Sequence, residues 1–220
     1  TKAPAVVTLH NLSQTYNGAP RVVTAATVPS GLAVALTYNG NAAAPVNAGT
    51  YTVVGLVTDP NYQGGATGTL TVAKAAQTIT FPAIPRQTIS KRVTLAATAS
   101  SGLPVTFSVV SGPAVLESGN TLRFTKPGTV TVRATQAGNA NWLSAIATRT
   151  FDVIVRVKND FDGDLKADYA VYRESDGTWN AWISGGNYYM AFASGWGGPG
   201  YVPVCGDYDG DLKTDPTVYH

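Results

Sequence analysis

Residues 49–57 read Gly-Thr-Tyr-Thr-Val-Val-Gly-Leu-Val, and this stretch decides the fold of the N-terminal part of the chain. Its side chains alternate with a period of two, as a β-strand requires, and both faces are apolar near the middle. The segment Gly-Thr-Tyr-Thr-Val at 49–53 recurs as Gly-Thr-Val-Thr-Val at 128–132, an offset of 79 residues. A repeat at this distance predicts tandem domains and not a short-period solenoid.

The composition favours strands and turns over helices. The 220 residues include 23 Gly and 13 Pro but one Met and two Glu. Strand patterns recur roughly every 8–12 residues between Gly, Pro or Asn, and no 11-residue window has a helical period. With 44% hydrophobic residues the chain can build packed cores. These features predict an all-β protein made of small β-sandwiches.

We divide the chain into three segments: residues 1–74, 75–157 and 158–220. Two further motifs repeat between the first two segments: Ser30-Gly31-Leu32 returns at 101–103, and Asn61-Tyr62 returns as Asn141-Trp142. We therefore predict two tandem β-sandwich domains, followed by a third segment of a different kind.

The charge distribution separates the third segment from the others. Residues 1–157 carry eleven Lys or Arg and three acids, whereas residues 158–220 carry four Lys or Arg and ten acids. The net charges are +8 and −6, so the overall +2 hides a strong asymmetry. The basic part has no dense cationic cluster, which argues against nucleic-acid binding. No apolar run is long enough to cross a membrane, and no signal peptide is visible.

Two nine-residue segments share the pattern Asp-x-Asp-Gly-Asp-x-x-x-Asp, at residues 160–168 (the first Asp loop) and 207–215 (the second Asp loop). They hold eight of the thirteen acids of the chain. Four carboxylates in one short loop repel one another strongly, so we expect a bound cation to compensate them. Hard oxygen donors favour calcium or magnesium over zinc or copper, and irregular coordination suits calcium best.

We predict two calcium sites, with ligands at positions 1, 3, 5, 7 and 9 of each loop. Positions 1, 3, 5 and 9 would supply carboxylates, and the lysine at position 7 would supply its backbone carbonyl with its ammonium turned outward. Glycine at position 4 permits the sharp bend between ligands. The predicted ligands are Asp160, Asp162, Asp164, Lys166 and Asp168 in the first loop, and Asp207, Asp209, Asp211, Lys213 and Asp215 in the second.

Two other interpretations of these loops compete with a calcium repeat. An EF-hand needs Gly at position 6 and Glu at position 12, where this chain has Val171 or Val218, so we reject it. A solvated acidic turn without metal stays open for a single loop, but two copies in matching frame favour the metal.

The repeat extends beyond the loops. Between them we predict strands at 169–173, 178–184, 188–193 and 201–205, with turns at Asp176-Gly177 and at 184–187. Four strands and one loop in 47 residues describe a β-propeller blade, followed by a second, truncated blade. The chain looks like an excised piece of a longer protein, since it begins and ends within such patterns.

Three family resemblances follow from these motifs. Residues 4–74 resemble the MBG domain of bacterial surface proteins, through the segments at 12–18, 38–40, 47–51, 59–62 and 68–72. Residues 77–155 are similar to bacterial immunoglobulin-like domains, through the segments at 77–81, 100–105, 109–113 and 138–142. Residues 158–220 resemble FG-GAP/VCBS repeats, the calcium-loop blades related to integrin α-subunit propellers. The first two resemblances imply spacers of extracellular proteins, and none implies a catalytic site.

Other side chains give weaker indications. Cys205 is the single cysteine, which excludes an internal disulfide, and we expect it buried in a strand. His10 and His220 lie in no nucleophile motif, so we predict no enzyme activity. Aromatic residues crowd the third segment and could stack on sugars or pack between blades. They are Trp179, Trp182, Tyr188, Tyr189, Trp196 and Tyr201, and strand alternation places Trp179 and Trp182 on opposite faces.

We therefore expect a non-catalytic structural or adhesion fragment, secreted or on the cell surface of a bacterium, with calcium-stabilised C-terminal repeats. Its partner would be a protein or carbohydrate at a cell surface, without nucleic-acid binding or membrane insertion. The alternative is an accessory or carbohydrate-binding region of a large secreted enzyme that acts on polysaccharide.

Overall fold

Nearly all regular structure in the computed structural model is β-strand, as the sequence predicts. The structure describes residues 1–186, 190–191 and 195–220. Among these residues the one helical element is a 3-10 turn, Ser184–Gly186, and no helix is long and apolar enough to span a membrane.

The first segment folds around two long antiparallel strands, of which Gly49–Val57 is the one that opens the sequence analysis. Its sheet has the order β3-β8-β6-β5, and β2 and β4 form a second, two-stranded sheet. The core contains Val23, Tyr38, Val53, Leu70 and Val72. The strands are β1 (Ala3–Pro4), β2 (Val6–His10), β3 (Ser13–Thr15), β4 (Thr24–Val28), β5 (Val34–Tyr38), β6 (Gly49–Val57), β7 (Tyr62–Gln63) and β8 (Gly65–Ala73).

The second segment repeats this plan with a larger core. The core lies between a four-stranded sheet, β10-β17-β16-β13, and a three-stranded sheet, β11-β15-β14, and β12 pairs with β9. Leu122 and Phe124 from one sheet meet Val130, Val132 and Phe151 from the other. The strands are β9 (Ile79–Thr80), β10 (Gln87–Thr88), β11 (Arg92–Thr94), β12 (Thr98–Ala99), β13 (Thr106–Ser111), β14 (Ala114–Glu117), β15 (Thr121–Phe124), β16 (Gly128–Gln136) and β17 (Ala145–Ile154).

The repeated Asn-aromatic motif joins the two segments. Ala75 forms a parallel bridge with Trp142, and the Ala75 N–H donates to the Asn141 carbonyl at 2.9 Å. Asn141 Oδ1 accepts the Ala48 N–H at 2.8 Å, and the Trp142 ring meets Tyr16 edge-on at 5.6 Å. Side chains of the second sandwich therefore contact the first sandwich directly, and the two sandwiches pack against each other at their junction.

The third segment contains two small sheets instead of a four-stranded one. β18-β19-β20 form one sheet, and β21 pairs with β22 across the second Asp loop. Three of the predicted strands agree with observed strands within two residues, but the predicted strand at 188–193 is described only at Met190–Ala191. The turn at 184–187 begins as the 3-10 turn, and Asn187, Tyr188 and Tyr189 lie outside the described residues. The strands are β18 (Tyr169–Arg173), β19 (Thr178–Trp182), β20 (Met190–Ala191), β21 (Val202–Gly206) and β22 (Asp215–Tyr219).

Single side chains of this segment confirm one prediction and correct another. Trp179 is 3% exposed and Trp182 is 41% exposed, so the two indoles do lie on opposite faces of β19. Cys205 lies in a strand as predicted, but it is exposed and not buried. The reason is that β21 belongs to a two-stranded sheet, which leaves much of its surface uncovered.

Removal of a core side chain tests the first sandwich. Leu70 is fully buried between β8 and its neighbours, so Leu70→Ala leaves a cavity and lowers the free energy of unfolding of this domain by about 2–5 kcal/mol. Hydrogen exchange of peptides from β6 and β8 measures the loss. Leu56→Ala, at an exposed position of the same sheet, is the control, with an expected change below about 0.5 kcal/mol. Equal effects of the two variants contradict the assigned core.

Candidate metal centre

The two Asp loops have the same backbone conformation. Gly163 and Gly210 have φ values of 85° and 87°, which a glycine adopts without strain. Leu165 and Leu212, two residues later, also have positive φ, at 68° and 75°. This left-handed conformation is unfavourable for leucine, so the surrounding loop must impose it. The sequence shows the glycine bend but gives no sign of the second one.

A common set of backbone hydrogen bonds holds both loops in this shape. In each loop the carboxylates at positions 1, 3, 5 and 9 accept N–H groups from the loop itself, at 2.7–3.0 Å. The bonds of the first loop are Gly163 N–H to Asp160, Asp164 N–H to Asp162, Lys166 N–H to Asp164 and Phe161 N–H to Asp168. Their counterparts are Gly210 N–H to Asp207, Asp211 N–H to Asp209, Lys213 N–H to Asp211 and Tyr208 N–H to Asp215.

Two carboxylates of the first loop are buried. Asp160 is 1% exposed, and its oxygens accept the N–H groups of Gly163 and Leu165 at 2.7 and 2.9 Å. Asp168 is 4% exposed, and its oxygens accept the N–H groups of Phe161 and Ser184 at 2.7 Å each. Such donors offset part of the cost of removing a carboxylate from water. The N–H groups therefore supply some of the compensation that the sequence analysis assigned to a cation alone.

A turn from the neighbouring hairpin closes over the first loop. The Ser184 hydroxyl donates to Asp164 Oδ2 at 2.8 Å, and the Gly185 N–H donates to Asp162 Oδ2 at 3.0 Å. A Cβ on Gly185 would lie 2.6 Å from that same Asp162 oxygen, so a side chain at this position would displace the carboxylate. The sequence predicts a turn at 184–187, but no local pattern shows that this turn contacts the first Asp loop.

The structure brings together three predicted ligands in each loop. Oxygens of Asp160, Asp162 and Asp168 lie within 4.8 Å of one another, as do those of Asp207, Asp209 and Asp211. Oxygens around one calcium ion are separated by at most about 5 Å, since each lies about 2.3–2.6 Å from the ion. Both groups therefore fit a calcium-sized cation, and all their donors are hard oxygens.

The remaining predicted ligands lie outside those groups. Asp164 points to Ser184, and Asp215 to the Tyr208 N–H. The Lys166 side chain is 71% exposed, and its Nζ lies 3.4 Å from Asp164 Oδ2, the oxygen that also accepts the Ser184 hydroxyl.

The two loops are in direct contact. The Thr214 N–H donates to the Asp160 carbonyl at 2.6 Å, and the side chain of Lys213 lies over Gly163. Asp207, whose side chain is 5% exposed, pairs with Arg156, with Nη2 3.0 Å from Oδ2. The sequence gives no sign of this contact, because Arg156 precedes the second Asp loop by 51 residues and belongs to no motif.

Exposed aromatic rings lie beside the second loop. Trp196 is 55% exposed and Tyr208 is 62% exposed, and together they line a cleft of about 460 Å³. The other lining residues are Asp209, Asp215, Pro216 and Thr217. Ring faces next to carboxylates can receive the apolar face and the hydroxyls of a sugar.

Comparison with known proteins finds a family match for the first part of the chain. Residues 5–76 match the family model of the MBG domain, which confirms the resemblance of the first segment. No curated protein matches the sequence. The resemblances of residues 77–155 and 158–220 stay predictions.

Several solved structures share limited similarity with the chain. Domains EC1–3 of Drosophila N-cadherin are 10% identical, with 70% of this chain and 68% of that chain covered and a TM-score of 0.29. A SusE-like, surface-located polysaccharide-binding protein from the heparin utilisation locus of Bacteroides thetaiotaomicron is 16% identical, with 76% and 36% covered and a TM-score of 0.29. An endo-fucoidan hydrolase of glycoside hydrolase family 107 is 13% identical, with 71% and 27% covered and a TM-score of 0.24. The chain spans about a third of the last two proteins.

The closing turn lowers the pKa of one carboxylate of the first loop. The Ser184 hydroxyl, the Lys166 N–H and the Lys166 ammonium hold the pKa of Asp164 below its ordinary value of 3.8. This carboxylate therefore stabilises the folded loop above that pH, and the contribution is lost as the pH falls through the lower folded-state pKa. We expect Ser184→Ala to raise the pKa of Asp164, as measured by carboxyl ¹³C NMR titration. Asp176, whose pKa is lowered mainly by Thr178, is the internal control and should not move.

Proposed function

We propose that this chain is a non-catalytic extracellular segment of a bacterial surface or secreted protein, in which calcium stabilises residues 158–220. The observation that carries the proposal is the pair of Asp loops, which share one hydrogen-bond frame and each gather three carboxylates within 4.8 Å. Residues 5–76 of the chain match the family model of the MBG domain. We infer that residues 75–157 are a bacterial immunoglobulin-like domain and that residues 158–220 are one complete and one truncated blade of an FG-GAP/VCBS repeat.

The donor chemistry supports calcium at both loops. In the first loop Asp160, Asp162 and Asp168 would hold the ion, and Asp164 and the Lys166 carbonyl are further candidate ligands. In the second loop Asp207, Asp209 and Asp211 would hold it, with Asp215 and the Lys213 carbonyl as candidates. A bound divalent cation supplies positive charge that the loop N–H groups provide only as partial dipoles. We expect extracellular affinities, roughly 10⁻⁴–10⁻³ M or somewhat tighter.

The acids outside the Asp loops support a non-catalytic function. Each of the five has a structural partner in the described part of the chain, and a glycosidase needs two carboxylates positioned towards a substrate. Asp59 and Asp176 cap turns, Glu117 pairs with two arginines, Asp152 accepts the Thr129 hydroxyl, and Glu174 accepts the Gly200 N–H.

The packed junction between the sandwiches supports a spacer role. A spacer transmits position along its length, which a flexible linker does not. Asn141 and Trp142 fix the second sandwich on the first by two hydrogen bonds to residues 47 and 48 and by one aromatic contact. Secretion or display on a cell surface would expose the chain to the millimolar calcium that such loops need.

Thermal melting of the full chain tests the calcium proposal. We expect calcium to raise the melting temperature of residues 158–220 over that in chelator, because an ion that binds only the folded loop stabilises it by mass action. The sandwiches should not respond, and magnesium should have a smaller effect. Asp162→Asn should remove the gain at the first loop, whereas Asp176→Asn, in an exposed turn outside the loops, should retain it.

The proposal fails if calcium changes neither the melting of this segment nor the hydrogen exchange of its loops at millimolar concentration. A gain that survives in Asp162→Asn but disappears in Asp211→Asn would assign the ion to the second loop alone.

A second candidate function is carbohydrate binding, which the cleft between Trp196 and Tyr208 favours. Exposed aromatic rings beside Asp209 and Asp215 combine a stacking surface with hydrogen-bond acceptors. Trp179 is excluded from such a role by its burial, so it is unsuitable as a test position.

A glycan array tests this candidate directly. If the cleft binds a sugar, Trp196→Ala should reduce binding about tenfold or more, because a stacked aromatic ring contributes roughly 1.5 kcal/mol or more. Trp182→Ala is the matched control, since Trp182 is exposed on a different element and should leave binding unchanged. The absence of binding to any glycan, or an equal loss in both variants, argues against the cleft.

A further inference from the structure

Arg156 lies two residues beyond the last strand of the second sandwich, β17 (Ala145–Ile154), and reaches into the second Asp loop. Its Nη2 lies 3.0 Å from Asp207 Oδ2 and donates to the Lys213 carbonyl at 3.4 Å. Asp207 and the Lys213 carbonyl are positions 1 and 7 of the predicted ligand set. One guanidinium nitrogen therefore contacts two of the oxygens that are predicted to bind a divalent cation in the second Asp loop.

The first loop is built differently at the same position. Asp160 Oδ2, the counterpart of the oxygen that Arg156 contacts, accepts the Leu165 N–H at 2.9 Å. Lys166 pairs with Asp164, which lies outside the three-carboxylate group of the first Asp loop. Among the described residues, a guanidinium therefore contacts the carboxylate group of one loop and not that of the other.

The surroundings of the second loop are also cationic on the side of the sandwich. A cleft of about 520 Å³ separates Asp211 and Leu212 from a basic edge of the sandwich that carries Arg86 and Lys91. This juxtaposition places part of the net charge of +8 before residue 158 next to part of the net charge of −6 after it. Opposite charges across a narrow gap attract, and Arg156 makes the one direct contact among these groups.

We propose that Arg156 is a built-in cation of the second Asp loop, which ties the loop to the second sandwich and competes with a divalent ion for Asp207 and the Lys213 carbonyl. A divalent cation enters the second loop only in exchange for this guanidinium. In the described part of the chain no such competitor contacts the buried Asp160 of the first loop, so the first loop binds the cation more tightly. Calcium at the second loop then breaks the tie between this loop and the second sandwich.

The cation part of this inference rests on the proposed calcium function, whereas the tie between loop and sandwich does not. Loss of the guanidinium leaves Asp207 without its charged partner, and a buried carboxylate without a partner gains more from a bound cation. Removal of Arg156 should therefore strengthen cation binding at the second loop and loosen the junction when no cation is present.

Calcium titration calorimetry on the full chain tests the competition. For the unsubstituted chain we expect two classes of site, and Arg156→Gln should tighten the weaker class about three- to tenfold and leave the tighter class unchanged. Arg156→Lys retains the charge but not the planar guanidinium. The calcium affinity of its weaker site should therefore lie between those of the unsubstituted chain and of Arg156→Gln. Arg133→Gln, an exposed arginine on β16 (Gly128–Gln136) of the same sandwich, is the matched control and should have no effect.

Small-angle X-ray scattering in chelator is the readout that does not depend on calcium. Arg156→Gln should increase the radius of gyration relative to the unsubstituted chain and to Arg133→Gln, and calcium should produce that increase in the unsubstituted chain. Two calcium sites that Arg156→Gln leaves unaltered would overturn the inference while the proposed function stands. If no variant binds calcium, the proposed function fails, and equal scattering of the variants in chelator then overturns the tie as well.

Discussion

Buried carboxylates are the constraint that organises the C-terminal segment. Asp160 and Asp168 are almost completely removed from water, and an ionised group there is stable only if its oxygens are satisfied. The loop satisfies them by wrapping its own N–H groups inward, which requires left-handed φ values at Gly163 and Leu165. Ser184 then closes the loop from the next hairpin, so the hairpin and the loop are mutually dependent.

Hydrogen bonds of the Asn-aromatic motif also connect the two sandwiches. The Ala3 N–H donates to the Asn61 carbonyl in the first sandwich, and the Ala75 N–H donates to the Asn141 carbonyl in the second, each at 2.8–2.9 Å. The entering segment of each sandwich is therefore held by the same Asn-aromatic motif. At the second copy the Asn141 side chain also reaches back to the preceding domain. A repeated device of this kind fixes orientation at the point where a tandem chain is otherwise most free to bend.

The sequence predicts the periodic features well and the long-range ones poorly. The strand at 49–57, the hairpin at Asp176-Gly177 and the opposite faces of Trp179 and Trp182 follow from local alternation and turn chemistry, and all are observed. The closure by Ser184 and the contact of Arg156 with Asp207 depend on residues 16 to 51 positions apart, which no local pattern encodes. Exposure of Cys205 was missed for the same reason, since it depends on how few strands pair in its sheet.

The two Asp loops differ in the groups that compensate the negative charge of their carboxylates. In the first loop, dipoles of backbone N–H groups face Asp160 and Asp168, and these carry partial charge only. A net negative charge therefore persists at buried oxygens, which is the condition under which a divalent cation gains most. In the second loop a full positive charge already lies at Asp207 Oδ2. Identical sequence motifs can thus have unequal cation affinities, because a residue outside the motif sets the charge that remains to be neutralised.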